Sequence, residues 1–281
     1  MYLTLDEVKQ MNAVQLEIFK EFVKICDKYN LKYYMIHGSL LGTLRCNGFF
    51  PFDDDIDVAM PRKDYDVLIE KASKELPDPL FIQSHKTEAE YPLAFAKIRN
   101  SETSFIQTVL NQLNVNKGIY IDIFPLDNYP ESKFKQKFLK MREKILSTRI
   151  STRLTYAEEQ PVWKKMLRAV SLLLHPSWNT AVRKRAELYS NIPEGNLFIT
   201  VNGKPSERGI PSKWFLSGKT MTFEGMEVIC PKEFEKYLTC IYGDYIHYNP
   251  AEKYMNADNC VEVSAEKFSV TQSYKSFEKN N

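Results

Sequence analysis

Four aspartates, Asp53, Asp54, Asp55 and Asp57, crowd into five positions, and the chain around them is apolar: Phe49-Phe50-Pro51-Phe52 before them, Ile56 and Val58-Ala59-Met60 among and after them. Flanks of this kind belong to a strand entering a core rather than to a solvated acidic loop. If Asp53 to Val58 is extended, Asp53, Asp55 and Asp57 face one way, because side chains alternate along a strand. Burying three like charges on one face costs several kcal/mol, roughly, unless a cation shares the site. Carboxylate oxygens are hard ligands, so the expected ion is Mg²⁺ or Mn²⁺. An EF-hand is excluded, since Val58 and Asp64 stand where that loop needs Gly and Glu.

The surroundings extend the pattern. Gly38-Ser39 is expected on a strand-to-helix turn, where small residues leave backbone N–H groups open to a phosphate. Asp122, alone in Ile119-Tyr120-Ile121-Asp122-Ile123-Phe124, is an acid inside an apolar strand and calls for a specific partner, either a metal or a proton. Asp127 is read as capping a turn. Arg45, Lys97 and Arg99 are the cations available for phosphate oxygens; Lys97 and Arg99 alternate with Ile98 and so share a face.

Other chemistries are absent. There is no G-x-x-x-x-G-K-[ST] or G-x-G-x-x-G run, the four histidines stand far apart, and the five cysteines contain no C-x-x-C pair. The pattern predicts an amphipathic helix over 4–29, with Thr4 and Glu7 at capping-box spacing. It predicts strands at 32–37, 93–98, 118–124, 197–201, 220–223 and 226–229, with a hairpin turn at Glu224-Gly225. Helices are expected at 40–45, 62–76 and 232–242, a mobile loop at 107–117, and a frayed polar tail from Lys267. Strands and helices mixed at this spacing indicate an α/β (α+β) fold with one central sheet.

Charge is uneven. Residues 131–190 carry fourteen Lys or Arg against five Glu, a local +9 that leaves −7 for the rest of the chain. This largely helical segment, broken at Pro161 and Pro176, is either a solvated face or a surface for polyanions or an anionic leaflet. No stretch approaches the ~20 apolar residues of a membrane span, and the N-terminus does not read as a signal peptide. A cytoplasmic protein, peripheral at the inner face of the plasma membrane through residues 131–190, is expected, with no nucleic-acid partner.

The run His37-Gly-Ser-Leu-Leu-Gly-Thr-Leu-Arg45, followed by Gly48-Phe-Phe-Pro-Phe-Asp-Asp-Asp-Ile-Asp57, resembles the LicD family. The likeness continues through Arg62-Lys-Asp-Tyr65, Phe95-Ala-Lys-Ile-Arg99 and Ile121-Asp-Ile-Phe-Pro-Leu-Asp127, and resumes at Phe223-Glu-Gly225, Pro231 and Tyr242-Gly-Asp-Tyr245. Phe52, Cys46-Asn47 and Asn249-Pro250 depart from the family's usual residues without removing a carboxylate. The resemblance implies a nucleotidyltransferase-like fold and metal-dependent transfer of a phospho-alcohol, phosphocholine first, from a CDP-linked donor to a glycan or lipid-linked glycan hydroxyl. In that picture Asp55 and Asp57 hold the ion and Asp53 assists or binds a second one. Asp122 is the third ligand or the base, and Gly38, Ser39, Arg45, Lys97 and Arg99 hold the donor phosphates. A choline group would also need an aromatic cage. The alternatives are a nucleotidyltransferase acting on CTP or another nucleotide, and a non-enzymatic cation-binding module that docks to a membrane. Residues 1–130 are read as the catalytic core, 131–190 as the basic helical segment, 191–266 as completing the same domain, and 267–281 as a polar tail.

Overall fold

A computed structural model describes residues 1–50, 53–154, 162–200, 209–249, 255–256 and 260–278. Pro51, Phe52, Pro161 and Pro250 lie outside the described residues. The architecture is mixed α and β around one curled sheet, as the pattern predicts.

A short strand, β1 (Tyr2–Leu3), leads into α1 (Leu5–Tyr29). Thr4 Oγ1 accepts from the Glu7 N–H at 3.2 Å while Glu7 Oε2 accepts from the Thr4 N–H at 2.8 Å, so the capping box forms. Val8, Met11, Ile18, Phe19, Phe22 and Cys26 recur at helical spacing and are buried. The helix stops at Asn30 in the left-handed region (φ 52°), where a short polar side chain is tolerated. Then come β2 (Tyr34–Met35), α2 (His37–Cys46), β3 (Asp57–Pro61), α3 (Arg62–Glu75), β4 (Leu80–Gln83), β5 (Ala96–Asn100), β6 (Ser104–Gln107) and β7 (Ile119–Asn128).

The main sheet runs β2-β3-β7-β5-β4. Only the β3–β7 pair within that path is parallel, and α1 and α3 pack together across β7. Pro125, which cannot donate to a ladder, falls past Ile123, the last β7 residue paired to β5. β7 is buried on both sides, which is why it reads as a continuous apolar run with Asp122 inside it.

The basic segment forms α4 (Lys133–Ser151), α5 (Val162–Leu174) and α6 (Trp178–Ala186). Leu146, Ile150, Trp178, Ala181 and Val182 bury one side of α4 and α6 against Tyr91, Leu110, Leu113 and Val115. Arg149 donates to the His175 and Pro176 carbonyls at 2.8 Å each, closing the α5–α6 corner. Two short strands, β8 (Leu197–Ile199) and β9 (Ile210–Pro211), extend the main sheet from the far end of β7. The hairpin of β10 (Lys219–Phe223) and β11 (Met226–Cys230) turns at Glu224 (φ 48°) and Gly225 (φ 75°), as expected of a two-residue turn. Helix α7 (Phe234–Tyr242) ends at Gly243, and β12 (Val261–Glu262), β13 (Ala265–Ser269) and α8 (Tyr274–Glu278) follow.

Several expectations are corrected. Residues 107–117 do not form a loose loop: Leu110, Leu113, Val115, Asn116 and Lys117 are buried, because this stretch covers the α4–α6 core. Residues 267–278 do not fray, since β13 pairs antiparallel with β6 and the Tyr274 N–H donates to the Thr103 carbonyl. Asp127 caps no turn. It is buried in β7 and takes a bidentate pair from Arg62, Nε to Oδ1 at 2.6 Å and Nη2 to Oδ2 at 2.7 Å. The 93–98 strand begins only at Ala96, and β4 and β6 had no sequence signal strong enough to predict them.

Candidate active site

Strand register puts three of the expected residues in one row. Asp57 pairs with Asp122 across the parallel β3–β7 ladder, and Lys97 pairs with Asp122 across β5–β7. Residues directly opposite one another share a face. The Lys97 ammonium accordingly donates to Asp122 Oδ1 and lies 3.3 Å from the centroid of the Tyr120 ring.

The acidic segment is only partly a strand. β3 begins at Asp57, and Asp53 to Ile56 is irregular, so strict alternation does not hold there. One carboxylate oxygen from each of Asp55, Asp57 and Asp122 lie within 4.8 Å of one another, and so do oxygens of Asp53, Asp54 and Asp55. Asp55 is common to both groups, and Asp54, which alternation would send the other way, belongs to the cluster.

Specific contacts hold the segment in place. The Asp57 N–H donates to Ser39 Oγ at 2.8 Å, the Asp122 N–H donates to the Ile56 carbonyl at 2.8 Å, and Gln15 Nε2, from α1, donates to the Asp54 carbonyl at 2.8 Å. Two glycines let helix α2 meet it. A Cβ on Gly38 would stand 2.5 Å from Asp53 Oδ2, and one on Gly42 would stand 2.4 Å from the Gly48 carbonyl oxygen. Four residues apart, they form one bare stripe on α2 against which Gly48, Phe49, Phe50 and Asp53 lie. The hairpin tip clamps the entry: the Phe49 N–H donates to Glu224 Oε1 at 3.1 Å and the Glu224 N–H to the Asn47 carbonyl at 2.8 Å.

The result is a cleft of about 300 Å³ lined by His37, Gly38, Leu41, Phe50, the four clustered aspartates, Tyr242, Tyr248, Glu262 and Ser264. Of the expected phosphate-holding residues, Gly38 lines it. Arg45 stands at its rim, with its guanidinium 4.9 Å from the Phe50 centroid and Nη1 donating to the Tyr248 carbonyl. Ser39 is buried and committed to Asp57. Lys97 and Arg99 do not line the cleft. Arg99 is fully buried and donates to Gln83 Oε1, the Gly118 carbonyl and Gln107 Oε1, which accounts for its guanidinium within the fold.

Electrostatics set what the cleft can hold. Burial, with the Asp54 charge second, pushes Asp53 up to about 8, and burial pushes Asp54 up to about 6. Burial and acidic neighbours hold Asp55 and Asp57 well above the ordinary carboxylate range. Asp122 is raised by burial against the opposing pull of Lys97, and Lys97 is pushed down to about 8 by burial. Five carboxyl groups thus face one buried ammonium. Asp53 Oδ2 is itself buried with no hydrogen-bond partner. An all-oxygen set with an orphaned carboxylate oxygen fits a metal ion.

Sequence reasoning did not assign His37, Tyr242 or Tyr248 to the site. His37 opens α2 in the left-handed region (φ 49°), where a non-glycine residue is uncommon and worth a functional question. Its Nδ1 lies 3.3 Å from Tyr237 Oη, its Nε2 is buried without a partner, and burial pushes it down to about 4. Its position in the quoted motif was the available signal. Tyr242 and Tyr248, with ring centroids 4.8 Å apart, reach the cleft from the C-terminal region, which no local pattern reveals.

Comparison with known proteins agrees with this arrangement. Residues 30–150, which carry α2, the aspartates, Lys97 and Asp122, match the family model described as LicD/FKTN/FKRP, nucleotidyltransferase domain. The chain is 26% identical over 254 residues to the lipopolysaccharide cholinephosphotransferase LicD of Haemophilus influenzae, covering 87% of this chain and 93% of that one. An uncharacterized protein of Rickettsia prowazekii is 28% identical over 122 residues, 42% of this chain and 41% of its own. The matched segment contains the whole acidic row and the helix against which it packs, and the longer similarity covers most of both chains; over residues 30–150 the chain is similar to the LicD family.

Proposed function

We propose that this protein is a metal-dependent phosphotransferase of the LicD type that moves a phospho-alcohol, phosphocholine first, from a CDP-linked donor to a glycan or lipid-linked glycan hydroxyl, releasing CMP. The observation that carries the reading is the carboxylate set Asp55, Asp57 and Asp122, joined through Asp55 to Asp53 and Asp54, with Asp53, Asp54, Asp55 and Asp57 lining a cleft at the N-terminus of α2. Its likeness to a cholinephosphotransferase over most of both chains supports the choice of donor.

Asp55, Asp57 and Asp122 would hold the ion, for which Mg²⁺ or Mn²⁺ suits the all-oxygen set. When bound, it would offset the negative charge on the phosphoryl oxygens during transfer. The chain's own groups do the rest. Gly38 keeps the start of α2 free of side-chain bulk, so its backbone N–H groups and dipole favour a diphosphate. Arg45 at the rim supplies the exposed cation. Lys97 keeps Asp122 ionised and fixes its orientation from behind.

The acceptor hydroxyl oxygen forms a bond to the distal phosphorus, the bond from that phosphorus to the CMP oxygen breaks, and the hydroxyl proton passes to a carboxylate. Asp122, expected as ligand or base, suits the ligand role, because one oxygen is committed to Lys97. Asp53 Oδ2, buried and without a partner, is the oxygen suited to the proton. The Tyr242 and Tyr248 rings, beside these acids, are the aromatic surface available to a quaternary ammonium.

The test is calorimetric titration of CDP-choline, CDP-ribitol and CTP with Mg²⁺, Mn²⁺ or a chelator, on the wild type and on Asp57→Asn, with products identified by ³¹P NMR. Metal-dependent CDP-choline binding that the substitution abolishes, with CMP as product, is the expected result. Pyrophosphate release from CTP would assign a nucleotidyltransferase instead. Metal binding with no nucleotide binding would leave the cluster a structural cation site.

A further inference from the structure

The helical segment carries an exposed apolar face that nothing among the described residues covers. In α5, Val162, Trp163, Met166, Val170, Leu173 and Leu174 fall within about 120° of arc at 100° per residue. Each is exposed, Leu173 at 82% and Val162 at 72%, whereas the one buried side chain of the helix is Ser171. Lys164, Lys165 and Arg168 are exposed as well, so the helix touches the protein through Ser171 while its apolar side meets solvent. On α4, Phe134, Phe138 and Met141, spaced four and three residues apart, are 81%, 49% and 53% exposed. The two surfaces adjoin, because Lys144, one turn beyond Met141, places its ammonium 5.5 Å from the Trp163 centroid. Ten of the seventeen exposed large hydrophobic residues of the described chain lie on these two helices. Patches of this kind mark interaction sites.

Charge selects the partner. Residues 131–190 hold fourteen Lys or Arg against five Glu, and Lys165 and Lys164 border the apolar arc on its two sides, with Arg168 on the opposite face. A second copy would bring the same positive field against itself, whereas a leaflet of anionic lipid complements both the apolar arc and its basic border. No described helix is long and apolar enough to cross a membrane, so the contact would lie in the interface plane. We propose that α4 and α5 form a docking surface for an anionic lipid bilayer, with the apolar face of α5 seated at the boundary between headgroups and acyl chains and Lys164 and Lys165 on the headgroup phosphates. The inference stands on exposure and charge and does not depend on the reaction proposed above.

The experiment is flotation of the purified full chain with vesicles of pure phosphatidylcholine and with vesicles containing about one third phosphatidylglycerol. Emission from Trp163 is followed in parallel, as the difference between wild type and Trp163→Phe. The expected result is binding to the anionic vesicles at least about tenfold stronger than to the neutral ones, weakened by salt, with a blue shift of Trp163 emission. Leu173→Glu should weaken it at least about tenfold, and Lys165→Glu should weaken it while leaving the apolar face intact. Thermal melts and circular dichroism check that both variants remain folded, and Leu173→Ser replaces Leu173→Glu if the latter does not. No vesicle binding, or equal binding to both vesicle types, would overturn the proposal. So would a concentration-dependent dimer that Leu173→Glu dissolves in the absence of lipid, which would assign the face to a second copy.

Discussion

Asp53→Asn should stabilise the metal-free protein at pH 8 and do markedly less at pH 5. Asp53 sits with an unpartnered oxygen among acidic neighbours and is pushed up to about 8 by burial and by Asp54. An unfolded aspartate ionises near pH 4. Between these values the folded state binds the extra proton, so stability is full below about pH 4 and falls as pH rises towards 8. At ~1.4 kcal/mol per pK unit, roughly four units set a ceiling of about 6 kcal/mol. The neighbouring carboxylates share that repulsion and Asp53 is half-buried, so roughly 2–3 kcal/mol is expected from one neutralisation. The assay is urea unfolding of wild type and variant in chelator at pH 5, 6.5 and 8, repeated with saturating Mg²⁺. The wild type should gain more from the metal than the variant does, because the ion removes the same repulsion. A wild-type stability that stays flat from pH 5 to 8 in chelator, together with a variant no more stable at pH 8, would refute the reasoning.

His37 carries the opposite slope. Pushed down to about 4 by burial, it stays neutral while the unfolded chain takes up a proton, so its contribution is lost as pH falls from about 6.5 to 4. The stability difference between His37→Gln and wild type should shift in the variant's favour by up to about 3 kcal/mol across that window in denaturant titrations. Lys97→Met leaves the buried Asp122 without its counter-charge and should cost about 3 kcal/mol or more in chemical denaturation; adding Asp122→Asn should restore most of the stability but none of the metal affinity. Gly42→Ala drives a Cβ to 2.4 Å from the Gly48 carbonyl, so it should destabilise by about 2 kcal/mol. By shifting the segment that leads to Asp53, it should also weaken metal binding in calorimetry, whereas Gly225→Ala, with open space around it, should leave the metal affinity unchanged.

What the sequence determined by itself is what short-range physics controls. The α1 capping box needs only Thr4 and Glu7, the hairpin only Glu224-Gly225, and the end of α7 only Gly243. The acidic cluster was legible because four carboxylates between apolar flanks demand compensation wherever they fold. Its internal geometry was not: alternation holds only from Asp57 onward, and hydrogen bonds from Gln15 and to Ser39 decide where Asp54 and Asp55 stand. Lys97 and Arg99 were rightly placed on one face, but strand register turned that face inward onto Asp122, Tyr120 and Gln83 rather than out to the cleft. The far wall of the site is also tertiary. Arg45 meets the Tyr248 carbonyl across 203 residues, and β13 returns to pair with β6, contacts with no local signature. Helix α5 makes the division plainest. Its 3.6-residue periodicity announces an apolar face, and such faces ordinarily turn to the core. Only the packing of Ser171 inward shows that this one faces out, because periodicity fixes which residues share a side and not which way that side points.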